Sequence, residues 1–243
     1  MRRTQIKDKN ILNILDNKHC ESIIYRYIDD DGEEVVLKVF KNAPFKKSME
    51  DTLRNKEQKL EILSSLDTPD LVQAKDLVFE DGKLVGYTMK EVIGETISTE
   101  SRNSAKIEYL EKIKEAMLRL NSQGINIGDF NTSNFIVDSQ GNLTCIDIDN
   151  YRINTDDGTL DFDTSLRYPD FFENHCDSNS FVDRYCFNMF ALCLIAPGYF
   201  SPSGLQSFPQ DLKSKHNDHV VSEMFILGNN YQGNILEFKR KNH

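Results

Sequence analysis

Residues 125–151 read INIGDFNTSNFIVDSQGNLTCIDIDNY, and what they form decides what the rest of the chain can be. Asp129 is followed five positions later by Asn134, and then by the apolar run Phe135-Ile136-Val137. Asp138-Ser139-Gln140-Gly141-Asn142 is a turn by composition, since Gly and Asn tolerate positive φ and Asp and Ser bond their own backbone. A second apolar run, Leu143 to Ile146, carries Asp147 at its end. Loop, strand, tight turn and strand is the simplest reading, with the hairpin folding Asn134 and Asp147 back beside each other. A loop carboxylate, an amide at a strand start and a carboxylate at a strand end then converge. Such oxygen donors suit Mg²⁺, which takes one or two carboxylates and completes its shell with water and phosphate oxygens.

Composition sets the outer bounds. At 243 residues the chain can bury a real core, as one large domain or two lobes. A net charge of −10 argues against a broad nucleic-acid or anionic-membrane surface. No apolar run reaches the length of a membrane span, and Met1-Arg2-Arg3 leads into polar residues rather than a signal-peptide core, so a cytoplasmic setting is expected. Cys20, Cys145, Cys176, Cys186 and Cys193 show no C-x-x-C spacing, which leaves them as small hydrophobes rather than zinc ligands.

The pattern D-x-x-x-x-N, a short hairpin and then D-x-x resembles the catalytic loop and metal-binding segment of the protein-kinase-like superfamily. Asp129 and Asp147 stand 147 − 129 = 18 positions apart, which matches that layout. The resemblance makes Asp129 the catalytic-loop Asp, Asn134 the metal-binding Asn and Asp147 the Asp of D-F-G. Ile127-Gly128-Asp129 replaces His-Arg-Asp, a form similar to bacterial kinase-like and small-molecule phosphotransferase branches. Asp149 stands where D-F-G has its Gly.

The preceding residues fall into the same order. Residues 1–10 are charged and expected to be frayed or loosely docked. Ile11 to Leu15, Ile23 to Ile28 and Val35 to Phe40 read as short strands, with Asp29-Asp30-Asp31-Gly32 as a turn between the last two. Val35-Val36-Leu37-Lys38-Val39 resembles V-A-I-K, which implies Lys38 as the lysine on the α/β-phosphates. The positions where the family has its phosphate-loop glycines hold Asn17, His19 and Ser22. Ser48 to Leu66 is a helix by period, with Met49, Leu53, Leu60, Leu63 and Leu66 near one stripe and the charged residues expected in solvent. The resemblance pairs Glu57 of this helix with Lys38, with Glu61 in reserve. Asp67-Thr68-Pro69-Asp70 ends the helix. Leu71 to Phe79 and Leu84 to Met89 are strands, and residues 90–94 fall where a kinase hinge runs. That implies Glu91 to Ile93 as adenine contacts and Met89 as the back-pocket residue.

Ser104 to Ser122 is a second helix, with Ile107, Leu110, Ile113, Met117 and Leu120 at helical spacing and Gly124 as its cap. Asn154 to Ser165 is polar and resembles a short activation segment, closing on Tyr168-Pro169-Asp170. Ser180 to Ala196 is a third helix, whose Asp183 matches the Asp that braces the catalytic-loop backbone in the family. One more helix is expected near Val220 to Leu227.

The resemblance implies an α+β, two-lobed protein-kinase-like fold. It has a small antiparallel β N-lobe with one main helix over 1–92 and a reduced, mainly helical C-lobe over 93–243. The implied function is transfer of the γ-phosphate of ATP, with Mg²⁺, to a hydroxyl, with a protein as acceptor or partner. Lys38, Asp129, Asn134 and Asp147 are the catalytic set, and Asn134 and Asp147 the metal ligands. Asn131 stands where Ser/Thr kinases often carry a Lys. The alternatives are a pseudokinase acting as a nucleotide-binding or scaffolding module, AMP transfer, and a small-molecule kinase.

Overall fold

The computed structural model describes residues 1–16, 22–41, 49–66, 68–97, 103–162 and the helical positions 182–184, 186–187, 190–191 and 194. Asn17, His19, Asp67, residues 163–170 and the expected helix at 220–227 lie outside the described residues. The chain is α+β and divides into two compact units. One is Met1–Glu95 with Phe135–Thr164, and the other contains Thr96–Asn134 and the described helical positions from Val182 to Leu194. Among the described residues no helix is long and apolar enough to cross a membrane.

The first unit is built on a six-stranded sheet in the order β1-β5-β6-β4-β3-β2. Its strands are β1 (Arg2–Gln5), β2 (Ile11–Asp16), β3 (Ser22–Ile28), β4 (Glu34–Phe40), β5 (Ala74–Glu80) and β6 (Lys83–Met89). The β3–β4 turn is set by Asp29, whose carboxylate accepts the N–H groups of Asp31 and Glu33 at 2.9 Å each and the Lys75 ammonium at 2.5 Å. Tyr27, Val35, Leu37 and Val78 form a core cluster on the sheet.

Two expectations fail here. Residues 2–5 are a strand, not a frayed end: β1 runs parallel to β5, pairing Arg2 with Asp76 and Gln5 with Phe79. The forked Arg2 guanidinium, bonded to both Asp76 oxygens at 2.7 and 2.9 Å, fixes that register. Leu71, read as the start of a strand, instead makes an isolated parallel bridge to Cys145.

Helix α1 spans Met49–Ser64. Its buried face carries Leu60 and Leu63 as expected, but also Thr52, Lys56 and Lys59. The lysines are therefore not all solvated, and the helix faces charge as well as hydrocarbon. Two-residue strands β7 (Glu95–Thr96) and β8 (Ile125–Asn126) flank helix α2 (Asn103–Ser122), which belongs to the second unit and buries Leu110, Ile113, Met117 and Leu120.

The hairpin of β9 (Phe135–Val137) and β10 (Leu143–Cys145) forms as the sequence suggests. Asp138 ties its turn, accepting the N–H groups of Gln140 and Asn142 at 2.8 Å while Gly141 takes φ 83°. The expected boundary at 92/93 placed this hairpin with the second lobe, whereas it clusters with the first unit. The reason is local: Val72 N–H donates to the Cys145 carbonyl at 2.9 Å, and Cys145 N–H to the Asp70 carbonyl at 2.7 Å. The start of the polar segment after Asp149 is also ordered, as a hairpin of β11 (Arg152–Thr155) and β12 (Gly158–Leu160). Asp156-Asp157-Gly158 is a turn sequence, with Gly158 at φ 138° and the Thr155 hydroxyl donating to the Gly158 carbonyl at 2.9 Å.

Candidate functional site

In the first unit the chemistry collects behind β4. Lys38 lies in the middle of β4, opposite Ile24 on one side and Tyr87 on the other, and is buried. Leaving β10, the backbone enters the left-handed region at Asp147 (φ 65°, ψ 38°) and then makes a 3-10 turn over Ile148–Asn150. This reversal sets Asp147 and Asp149 on the same lysine. The Lys38 ammonium bonds Asp147, and also Asp149 Oδ1 at 2.5 Å.

A second lysine completes the cluster. Lys56, from the buried face of α1, donates to Asp149 Oδ2 at 2.6 Å and to Asn150 Oδ1 at 2.8 Å. Aromatic rings close the sides. The Lys38 ammonium lies 5.9 Å from the Tyr87 ring centroid, and that of Lys56 5.1 Å from the Phe40 ring. The Tyr87 hydroxyl reaches Asp149 Oδ1 at 3.3 Å.

Two lysines against two aspartates make the cluster neutral. That balance permits the burial, because an unpaired ion here would cost several kcal/mol of lost hydration. Burial by itself would push the Asp149 carboxyl up. The charges and hydrogen bonds of Lys38 and Lys56 more than offset it and hold the group well below the usual carboxylate range. Burial likewise disfavours the Lys38 ammonium, yet Asp147 and Asp149 raise it well above an ordinary lysine. Burial pushes the Tyr87 phenol up, the nearby lysine opposing and Asp149 reinforcing it. Asp149 is sealed at 2% side-chain exposure while Asp147 keeps 30%, so of the two acids Asp147 can meet a ligand.

The expected Glu57–Lys38 pair is absent; Glu57 pairs with Arg3 of β1. Helix geometry gives the reason. Position 57 is turned about 100° from position 56, so with Lys56 facing the cluster Glu57 points elsewhere. Ser22 is not in a loop but at the buried start of β3, opposite Phe40. Met89 ends β6 and is buried. Glu91 is held by Arg26 at 3.0 Å, and Ile93 is 81% exposed.

In the second unit, Asp129 and Asn134 meet directly. The Asn134 amide donates to the Asp129 carbonyl at 3.1 Å and to its carboxylate at 3.2 Å, from a 3-10 turn over Thr132–Asn134. Asp183 fixes the backbone just before Asp129, accepting the N–H of Gly128 at 2.8 Å and of Ile127 at 2.9 Å. Rotating the Asn121 amide adds a third donor, 2.8 Å from Asp183 Oδ2. Burial pushes the Asp183 carboxyl up to about 7, with the Gly128, Ile127 and Asn126 hydrogen bonds opposing it. Phe130 packs edge-on to Phe187 at 6.0 Å, anchoring the loop to the same helix. Gly128 takes φ 70°, so the turn into Asp129 needs its freedom.

No protein-family model matches the chain, and no curated protein matches it. Among the described residues no group of three His, Cys, Asp or Glu side chains could form a metal cage. In the first unit the partly exposed Asp147 carboxylate is an oxygen donor of the kind Mg²⁺ takes, since that ion binds through one or two carboxylates and substrate phosphates rather than all-protein cages.

Sequence reasoning missed Lys56, Asp149 and Tyr87 as site residues. A usable signal was present. The doubled acid of Asp147-Ile148-Asp149 after a buried strand calls for more than one cation. Lys56 also shares a helix face with Leu60 and Leu63, at four and seven positions' spacing.

Proposed function

We propose that this chain is an ATP- and Mg²⁺-dependent phosphotransferase of divergent protein-kinase-like type, acting on a hydroxyl of a protein acceptor. The observation that carries the reading is the Lys38–Asp147 ion pair. It joins residues 109 positions apart, each assigned to a phosphate-handling role by an independent motif. The Asp129–Asn134 contact and the Asp183 brace support it from the second unit.

In this reading Lys38 releases Asp147 and grips the α- and β-phosphates. Asp147 and Asn134 would hold Mg²⁺, which when bound neutralises charge on the β- and γ-phosphates. Asp129 orients the acceptor hydroxyl and takes its proton as the oxygen attacks the γ-phosphorus. The bond from that phosphorus to the β–γ bridging oxygen breaks, and ADP leaves with the electron pair. Catalysis of this type is mainly positioning and charge stabilisation.

The test is transfer from γ-labelled ATP with Mg²⁺, to the protein itself and to a generic protein acceptor, beside Asp129→Ala and Asp147→Asn. Label on the wild type that is absent from both variants is the expected result. A second reading, a pseudokinase binding module, is favoured by one observation: Lys38 and Asp147 already neutralise each other. Absence of both label and any nucleotide-induced thermal shift would exclude the enzyme and leave that module.

A further inference from the structure

We infer that Lys56 is a positioning residue for the phosphate lysine. It holds Asp149 so that this aspartate, and not a helix glutamate, fixes Lys38 in place. The inference rests on the phosphotransferase reading for what Lys38 does, but its geometry stands alone. Asp149 has one oxygen on each lysine: Oδ1 lies 2.5 Å from Lys38 and Oδ2 2.6 Å from Lys56. With both oxygens committed, the carboxylate cannot rotate without breaking a charge-assisted bond in a dry site. The neighbouring Asn150 amide oxygen, 2.8 Å from the Lys56 ammonium, gives that lysine a second anchor on the same 3-10 turn.

The pattern inverts what the sequence motifs lead one to expect. An α-helix bracing a strand lysine needs an acid on its inner face, yet α1 turns Lys56 inward and spends Glu57 on Arg3. A bare Lys56 beside Lys38 would repel it. Asp149, standing where D-F-G has glycine, makes the pair attractive by lying between them. The two departures from the motifs, a lysine on the helix and an acid in the turn, thus compensate each other. Lys56 is 2% exposed, so it acts through Asp149 and does not reach a ligand itself.

The test uses the full chain in Lys56→Met, Lys56→Gln, Lys56→Arg, Asp149→Asn and Glu57→Gln forms. The first readout is the ¹H–¹⁵N spectrum of the lysine ammonium groups without nucleotide, with the Lys38 signal assigned by its loss in Lys38→Arg. A buried, doubly bonded ammonium exchanges slowly enough to be seen. The Lys38 signal should vanish or move in Lys56→Met, Lys56→Gln and Asp149→Asn, and remain in place in Lys56→Arg and Glu57→Gln. The second readout is phosphoryl transfer, where Lys56→Gln should raise KM for ATP roughly tenfold or more, as loss of a charge-assisted contact requires, with Lys56→Arg restoring it.

If Lys56→Met does not fold, Lys56→Gln decides, since it keeps a polar side chain at the position without the charge. An unmoved Lys38 signal in a folded Lys56→Gln protein overturns the inference. So does a signal that moves in Glu57→Gln but not in Lys56→Gln. Should the wild type transfer no phosphate, the phosphotransferase reading falls while the spectra still judge the positioning role.

Discussion

Gly86→Ala is a sharp test of how β4 is held. Gly86 pairs with Val39 in the β4–β6 ladder, one step from the Lys38–Tyr87 pair. A Cβ at this position would overlap the Lys38 carbonyl oxygen and lie 3.0 Å from its carbonyl carbon and 3.1 Å from Val39 Cα. All three obstacles are backbone atoms, so no side chain can swing aside. The strands must part by roughly 1 Å, enough to break ladder hydrogen bonds of ordinary length. Overpacking of this kind costs about 1–3 kcal/mol and each lost bond about 1 kcal/mol more, giving roughly 3 kcal/mol. Urea unfolding should show a lower midpoint with an unchanged slope. Gly32→Ala is the control: it has φ 80° but open space around it, and should lose only about 1 kcal/mol of backbone strain. A Gly86→Ala loss under about 0.5 kcal/mol, or one no larger than the control, would refute the close-approach argument.

The remaining expectations concern charge and catalysis. Asp183 has a folded-state pKa of about 7, above its ordinary 3.8, so its contribution is complete below pH 4 and is lost as pH rises towards 7. Asp183→Asn should flatten stability across that window; an unchanged profile in urea titrations would count against it. Asp29 shifts the opposite way: burial opposes ionisation, but Lys75 and the N–H groups of Glu33 and Asp31 hold it below its ordinary 3.8. Its contribution is therefore present above pH 4 and lost on further acidification, and acid unfolding of Asp29→Asn should lack that component. Asp129→Ala should lower kcat by about 10²–10⁴ while leaving nucleotide-induced thermal shifts within a degree or so, since the loss falls on proton transfer and not on binding. An equal collapse of binding would remove Asp129 from the role of base.

How much of this was legible depended on what kind of interaction each residue makes. The hairpin over 135–145 was readable because apolar runs and an Asp-Gly-Asn turn are local signals, and the turn bonds of Asp138 follow them. The meeting of Asn134 with Asp129 is also local, five residues apart. Lys38 was placed by a strand pattern, but its partners come from position 147 and beyond, and periodicity carries no information over such a distance. Lys56 was hidden because a lysine on an amphipathic helix is read as solvated unless its counter-charge is known. Strand β1 was hidden for a related reason. Arg-Arg-Thr-Gln has no apolar alternation, and it docks by charge, through Arg2 to Asp76 and Arg3 to Glu57.

The position of β1 also orders events in time. Strands β2, β3 and β4 are a meander of neighbours in sequence, and β5 and β6 are a hairpin, so each can form soon after it leaves the ribosome. β1 precedes them in sequence and pairs with β5, its Arg2 meeting an aspartate 74 residues later. Contacts of that separation close slowly. Strand β1 thus docks later than the local meander and hairpin form, and until it does the β5 edge stays open to other extended chains.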